Sequence, residues 1–312
     1  MTTKTLDRDS RQFTEREVTF DSAGVTLAGT IAEPVAEVRG VAVILPGSGE
    51  VDRDSNHKSI PLGVSRDLAH MLAQQGILSL RYDKRGLFAS GGIFLTTGLS
   101  DNIDDAIAAL DMVRGARPEL PAFVIGHSEG AMIAEAMAAG RDLAGVVLLA
   151  APGTTGEVTM RWQATQIAAA LPGFARAITK LFRIDLLAQQ AKSIERIKAT
   201  TGDTARMQGR TINAKWQREL LAFDPAEHLP RITAPVLAIT GGKDLQVNAD
   251  DLEIIARSVA GPVETHRLDD LTHLLRSEPG APSLANYKKL ARQPMDPQVL
   301  QLVGDWIAAR LA

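Results

Sequence analysis

The chain has 312 residues, 34 basic against 37 acidic side chains for a formal charge of −3, a hydrophobic content of 45% and no cysteine. That length and apolar content suffice for a core without staples, in one large α/β domain or two smaller ones, and exclude disorder of the chain as a whole. Without cysteine there is no disulfide framework, no thiolate metal site and no cysteine nucleophile, and a near-neutral charge offers no field for nucleic acid.

Residues 1–16 are polar and charged, with no apolar run of secretory type. The longest uncharged apolar stretch, 143–155, is broken by Pro152 and Gly153. It falls well short of the ~20 residues of a membrane span. The expectation is a cytoplasmic protein with no membrane span. Two short alternating runs, 17–20 and 25–31, flank Asp21-Ser22-Ala23-Gly24 and predict an antiparallel hairpin. The pattern then changes to nearly continuous apolar runs at 40–45, 77–82, 122–125, 145–150 and 236–240, the mark of parallel strands buried on both faces.

Helix-period segments lie between these runs. Residues 66–75 place Leu68, Met71 and Leu72 on one face, and 101–114 carries Ile103, Ala106, Ile107, Leu110 and Val113 at three- and four-residue spacing. Segments 128–139, 250–258 and 299–311 complete the set. Strand–helix alternation of this kind implies right-handed crossovers and an α/β, doubly wound, mostly parallel sheet.

Residues 153–224 break the alternation. They read as helical stretches, among them 161–170, 174–181 and 184–200, without a strand, and carry 11 Lys or Arg against 6 Asp or Glu. The segment is therefore read as a helical cap inserted into a core domain formed by 1–152 and 225–312, covering the strand ends where open α/β sheets bind ligands.

Gly126-His127-Ser128-Glu129-Gly130 matches G-x-S-x-G, with the apolar run 122–125 leading in and a helix-forming run leading out. A strand that reverses directly into a helix holds its turn residue in a strained conformation and projects the serine hydroxyl above the sheet. A serine hydroxyl becomes a useful nucleophile when a histidine takes its proton and an acid holds that histidine's tautomer. Acid and base are expected in that order after the serine. Asp244 stands just beyond the strand 236–240, in Gly241-Gly242-Lys243-Asp244. His273 follows a further strand, 263–268, so both fall at the same sheet edge as Ser128. Of the other histidines, His266 lies within that last strand, His127 sits in the elbow and cannot curl back to its neighbour's hydroxyl, and His57, His70 and His228 are out of order or misplaced. Asp269 and Asp270 are substitute acids. For the oxyanion, one donor is the N–H of Glu129, at the start of a helix. The other is the N–H of Ser48, with Gly49 in reserve, in the loop Leu45-Pro46-Gly47-Ser48-Gly49.

These motifs, in order, resemble the bacterial α/β-hydrolases of the esterase and serine-aminopeptidase-like branch. Members carry a Gly-Ser-Gly oxyanion loop followed by Asp-Arg-Asp, a Tyr-Asp-Lys-Arg-Gly segment, the elbow, a Gly-x-x-Asp turn and a late histidine. Here they are Gly47-Ser48-Gly49 with Asp52-Arg53-Asp54, Tyr82-Asp83-Lys84-Arg85-Gly86, Gly126 to Gly130, Gly241 to Asp244, and Thr272-His273. Leu45-Pro46-Gly47 replaces the common His-Gly, and Thr272 replaces the frequent Asn. The charges at 83–85 and 52–54 are read as braces of the loops rather than substrate ligands.

The resemblance implies a serine hydrolase that cleaves small carboxylic esters through an acyl-serine. Acyl thioesters and amino-terminal amides are alternatives on the same residues. A ligand receptor without turnover is the alternative of another class. No metal or organic cofactor is called for, since there is no H-E-x-x-H and the six histidines are scattered. An exposed apolar face on the insertion would be pocket wall or homodimer interface.

Overall fold

Polar–apolar alternation fades wherever a strand is covered on both faces, and that change divides the sheet. The computed structural model describes residues 12–58, 60–171, 173–174, 182 and 185–311. It opens with β1 (Phe13–Ser22) and β2 (Val25–Pro34), antiparallel from Ser22↔Val25 to Phe13↔Pro34. Ala23 and Gly24 turn the chain with φ of 50° and 78°, the doubly positive pair of a type I′ hairpin. Both strands outrun the predicted 17–20 and 25–31. β1 lies at the sheet edge with most of its residues exposed, so its first half carries little apolar pattern.

β3 (Gly40–Leu45), β4 (Ile77–Tyr82), β5 (Ala122–His127) and β6 (Gly145–Leu149) follow, buried at every residue. Between them run α1 (Val64–Gln74), α2 (Leu99–Gly115) and α3 (Glu129–Ala138). The segment after β6 holds α4 (Gly156–Ala169), α5 (Leu186–Lys198), the short strands β7 (Thr204–Met207) and β8 (Arg210–Asn213), and α6 (Ala214–Ala222). The chain then returns through β9 (Val236–Gly241), α7 (Asp251–Ser258), β10 (Val263–Leu268), a single turn α8 (Tyr287–Leu290) and α9 (Pro297–Ala308).

The eight-stranded sheet has the order β1-β2-β4-β3-β5-β6-β9-β10. β2 joins β4 antiparallel, and every later pairing is parallel. Successive residues of each inner strand serve opposite layers. Val43, Val124, Val146 and Ala238 pack with α2, α3 and α7. Ile44, Phe123, Ile125, Val147 and Ile239 pack with Leu68 and Leu72 of α1 and Val303, Trp306 and Ile307 of α9. Each such aliphatic or aromatic side chain contributes about 1.5–3 kcal/mol on burial, and this double layer sets the sheet edge on which the loops stand.

The segment 153–224 corrects one expectation: it contains strands. β7 and β8 form an antiparallel hairpin around Gln208 and Gly209, with φ of 51° and 78°. Half of its eight residues are exposed and only Ala205, Met207 and Ile212 are apolar, so the strand pattern is too short and weak to announce it beyond the Gln-Gly turn. The predicted helix 161–170 begins earlier, at Gly156, where the Thr155 hydroxyl accepts from the Val158 N–H. The predicted 184–200 is α5, capped by Asp185. The predicted 174–181 lies, but for Phe174, outside the described residues. Among the described residues no helix is long and apolar enough to cross a membrane.

Candidate active site

At the end of β5 the chain reverses into α3 through Ser128, whose φ of 56° and ψ of −117° no ordinary side chain adopts freely. Such a conformation costs of order 1–3 kcal/mol and persists because its surroundings over-determine it. The Ser128 N–H donates to the Leu149 carbonyl at 2.9 Å, and its own carbonyl accepts from Ala131 N–H at 2.9 Å. The crossing is so close that a Cβ on Gly126 would lie 2.1 Å from the Gly130 carbonyl oxygen, and one on Gly130 would lie 2.1 Å from that of Leu45. The two glycines of the motif are thus steric requirements.

Two loops meet beside this elbow. A Cβ on Gly241, at the end of β9, would stand 2.0 Å from the Leu271 carbonyl oxygen, so the turn after β9 presses against the loop after β10. That contact brings together the two side chains expected as acid and base. His273 Nδ1–H donates to Asp244 Oδ2 at 2.8 Å, and His273 Nε2 accepts from the Ser128 hydroxyl at 3.0 Å. Asp244 is held in turn by the N–H groups of Gln246 (2.7 Å) and Val247 (2.9 Å) on Oδ1. Its carboxylate is fully buried and the imidazole nearly so.

The other candidates go elsewhere. Asp270 pairs with Lys243 at 2.6 Å and Asp269 is exposed. His266 bonds Glu264 on its own strand, His70 meets Glu15, and His228 stacks on Phe223. His127 has a role the sequence did not suggest: its Nε2–H donates to the backbone carbonyl of His273 at 2.9 Å. Burial first, and the neighbouring His273 second, push its ring down to about 3, so it stays a neutral donor beneath the base.

Ser48 and Gly49 stand in the loop after β3, where a Cβ on Gly47 would lie 3.5 Å from that of Ser128. Among the described residues neither the Ser48 nor the Glu129 N–H donates to a protein acceptor. Both residues line, with Ser128, a cavity of about 90 Å³ whose walls include Met132, Met160 and Val247. The loop is braced as its charges suggested. Arg53 reaches Asp83 through its N–H (2.9 Å) and its guanidinium (2.7 Å), Asp54 accepts from Arg81 at 2.6 Å, and Arg85 pairs with Asp105. The Glu129 side chain was not anticipated. It is buried, accepting from the Trp216 indole at 3.2 Å and Asn102 at 3.4 Å, and so ties the elbow to α6 and α2.

The family model for serine aminopeptidase, S33, matches residues 61–280. Esterase EstD of Thermotoga maritima is 29% identical over 302 residues, 96% of this chain and 68% of its own. Among solved structures, Est1E from Butyrivibrio proteoclasticus with ferulic acid bound superposes with a TM-score of 0.62 at 16% identity, over 94% of this chain and 99% of that one. The esterase Pf2001 of Pyrococcus furiosus gives 0.59 at 17% identity, over 99% and 97%.

Proposed function

This chain belongs to the serine aminopeptidase S33 family, and on that footing we propose how it works as a carboxylic ester hydrolase of the α/β-hydrolase fold. Ser128 attacks the ester carbonyl while His273 takes its proton, and Asp244 orients the imidazole and stabilises its cation. The N–H groups of Glu129 and Ser48 receive the oxyanion, each worth roughly 3 kcal/mol in the transition state. His273 then gives its proton to the leaving alcohol, and a water activated by the same ring hydrolyses the acyl-serine. The observation that carries this reading is the continuous hydrogen-bond chain Ser128–His273–Asp244 at 3.0 and 2.8 Å, beside two unengaged amides.

Residues 153–224 act as the cap. Thr159 and Met160 of α4 and Leu220 of α6 line the cavity above Ser128, and its small volume of about 90 Å³ favours short acyl chains. Esters are favoured over amino-terminal peptides because an aminopeptidase must meet an ammonium group. Among the described residues lining that cavity the one carboxylate, Glu129, is already engaged. The exposed Leu186 and Leu187 of α5 are the surface on which two copies would associate, a homodimer that sedimentation velocity would register.

Steady-state hydrolysis of p-nitrophenyl esters from acetate to palmitate tests the assignment. Activity should peak at short chains and fall at least about 10⁴-fold in Ser128→Ala. Equal turnover by wild type and variant would sink it.

A further inference from the structure

The three charges that end β4 are not equivalent. Asp83 and Arg85 bind Arg53 and Asp105, as braces do. Lys84 turns instead toward the site, with its side chain nearly buried. Its Nζ donates to the Gly47 carbonyl at 2.7 Å and stands 3.6 Å from Glu129 Oε1. We propose that Lys84 is the positioning and charge-balancing residue of the oxyanion pocket, an inference that rests on the roles given above to the Ser48 and Glu129 amides.

Two physical arguments support it. In a trans peptide the carbonyl and the following N–H point in opposite directions. Fixing the Gly47 oxygen on Lys84 therefore fixes the direction of the Ser48 N–H. Without that anchor, a peptide set among Gly47, Ser48 and Gly49 is free to rotate, since glycine resists few backbone angles. The second argument is electrostatic. Glu129 supplies an oxyanion donor through its backbone while its own carboxylate is buried and the residue lines the same cavity as Ser128 and Ser48. An uncompensated buried carboxylate there would oppose the very charge the pocket must accept. Among the described residues Lys84 is the one cation within ion-pair distance of Glu129; Asn102 and Trp216 give it only neutral donors.

The test compares Lys84→Met, Lys84→Arg and the double variant Lys84→Met/Glu129→Gln by kcat and KM on p-nitrophenyl acetate. It adds the Ki of an alkyl trifluoromethyl ketone, which forms a tetrahedral oxyanion on a reactive serine. In Lys84→Met, kcat should fall roughly 100-fold with KM nearly unchanged, and Ki should rise by a similar factor. The double variant should regain at least about fivefold in kcat, because the stranded carboxylate is gone. A kcat within about threefold of wild type, or a loss of kcat without a matching rise in Ki, overturns the proposal. No regain in the double variant overturns its charge-balancing half. Should Lys84→Met not fold, Lys84→Arg decides: it keeps the charge but moves the donor, so unchanged kcat and Ki overturn the positioning role. Labelling by a fluorophosphonate, lost in Ser128→Ala, separates the two readings. If that loss is seen, silent Lys84 variants count against Lys84 alone; if labelling survives, the underlying site falls as well.

Discussion

β5 and β6 are buried at every residue, whereas α4, above them, buries only Gly156 of its 14 residues. α5 buries Ile194 and Ile197, and with Leu221 these make the small apolar cluster of the segment. On α4 and α5 the further ties include solvent-exposed ion pairs such as Glu157 with Arg161 and Lys198, which add little, whereas α6 and the residue before it are held more firmly, Trp216 bonding Glu129 and Asn213 bonding the Phe94 and Thr97 carbonyls. The floor of the site is thus set by close packing on two faces, and the α4–α5 part of its roof by few apolar contacts. Such a difference places the proposed catalytic groups on the part of the molecule that opens least, and the proposed cap on the part that opens first. Precision belongs to the floor, where a hydroxyl must be held at 3.0 Å from an imidazole. The roof needs only to shape the cavity.

The largest expected loss lies at the floor. Asp244→Asn should leave the fold intact yet lower kcat on p-nitrophenyl acetate by about 10⁴-fold, since an amide no longer holds the His273 tautomer. A loss under tenfold, measured at pH 8 with folding checked by circular dichroism, would mean that Asp244 is not the acid.

A smaller pair of effects sets floor against roof directly. Phe123→Ala in β5 should reduce global unfolding free energy by about 3–5 kcal/mol in urea titration. Ile194→Ala removes a side chain just as buried and should cost about 2–4 kcal/mol, but locally. Hydrogen exchange would show faster opening of α4, α5 and α6 with the β5 and β6 amides unchanged. Equal acceleration in both regions would show that floor and roof unfold as one unit.

The smallest effect is a pH dependence confined to the floor. Unfolded, His127 titrates near 6.5; folded, it titrates at about 3. Above pH 6.5 both states are neutral and the group contributes no slope. Below it the unfolded chain takes up a proton that the folded chain refuses, so stability falls by about 1.4 kcal/mol per unit until pH 3. Between pH 7.5 and 4.5 the wild type should therefore lose about 2–3 kcal/mol more than His127→Asn. Parallel urea-denaturation curves across that range would refute the buried neutral ring.

Much of this arrangement could be read from residue order. The continuous apolar runs at 40–45 and 77–82 coincide with β3 and β4, since strand burial on both faces writes itself as uninterrupted hydrophobicity. β10, the further strand expected at 263–268, shows the limit: its four consecutive polar residues, Glu264 to Arg267, mark an edge strand open to solvent, with no apolar run to announce it. The hairpin β7–β8 was not legible because exposed residues are under little constraint. The bond between His127 and the His273 carbonyl was not legible either, because it joins groups 146 residues apart through loops whose course no local pattern encodes.

Residue order alone carries the class of the fold, the glycines that let strand and helix cross at Ser128, and the order in which Ser128, Asp244 and His273 reach one sheet edge. Those are consequences of period and steric size, which act between neighbours in the chain. It took the packed loops to settle that Gly241 presses on Leu271, that Glu129 is bound by Trp216 of α6, and that Lys84 alone of its charged neighbours turns to Gly47 and Glu129. Such contacts depend on which loops meet in space. A charged side chain at a strand end can turn to either side, and only the packed loops around it decide which.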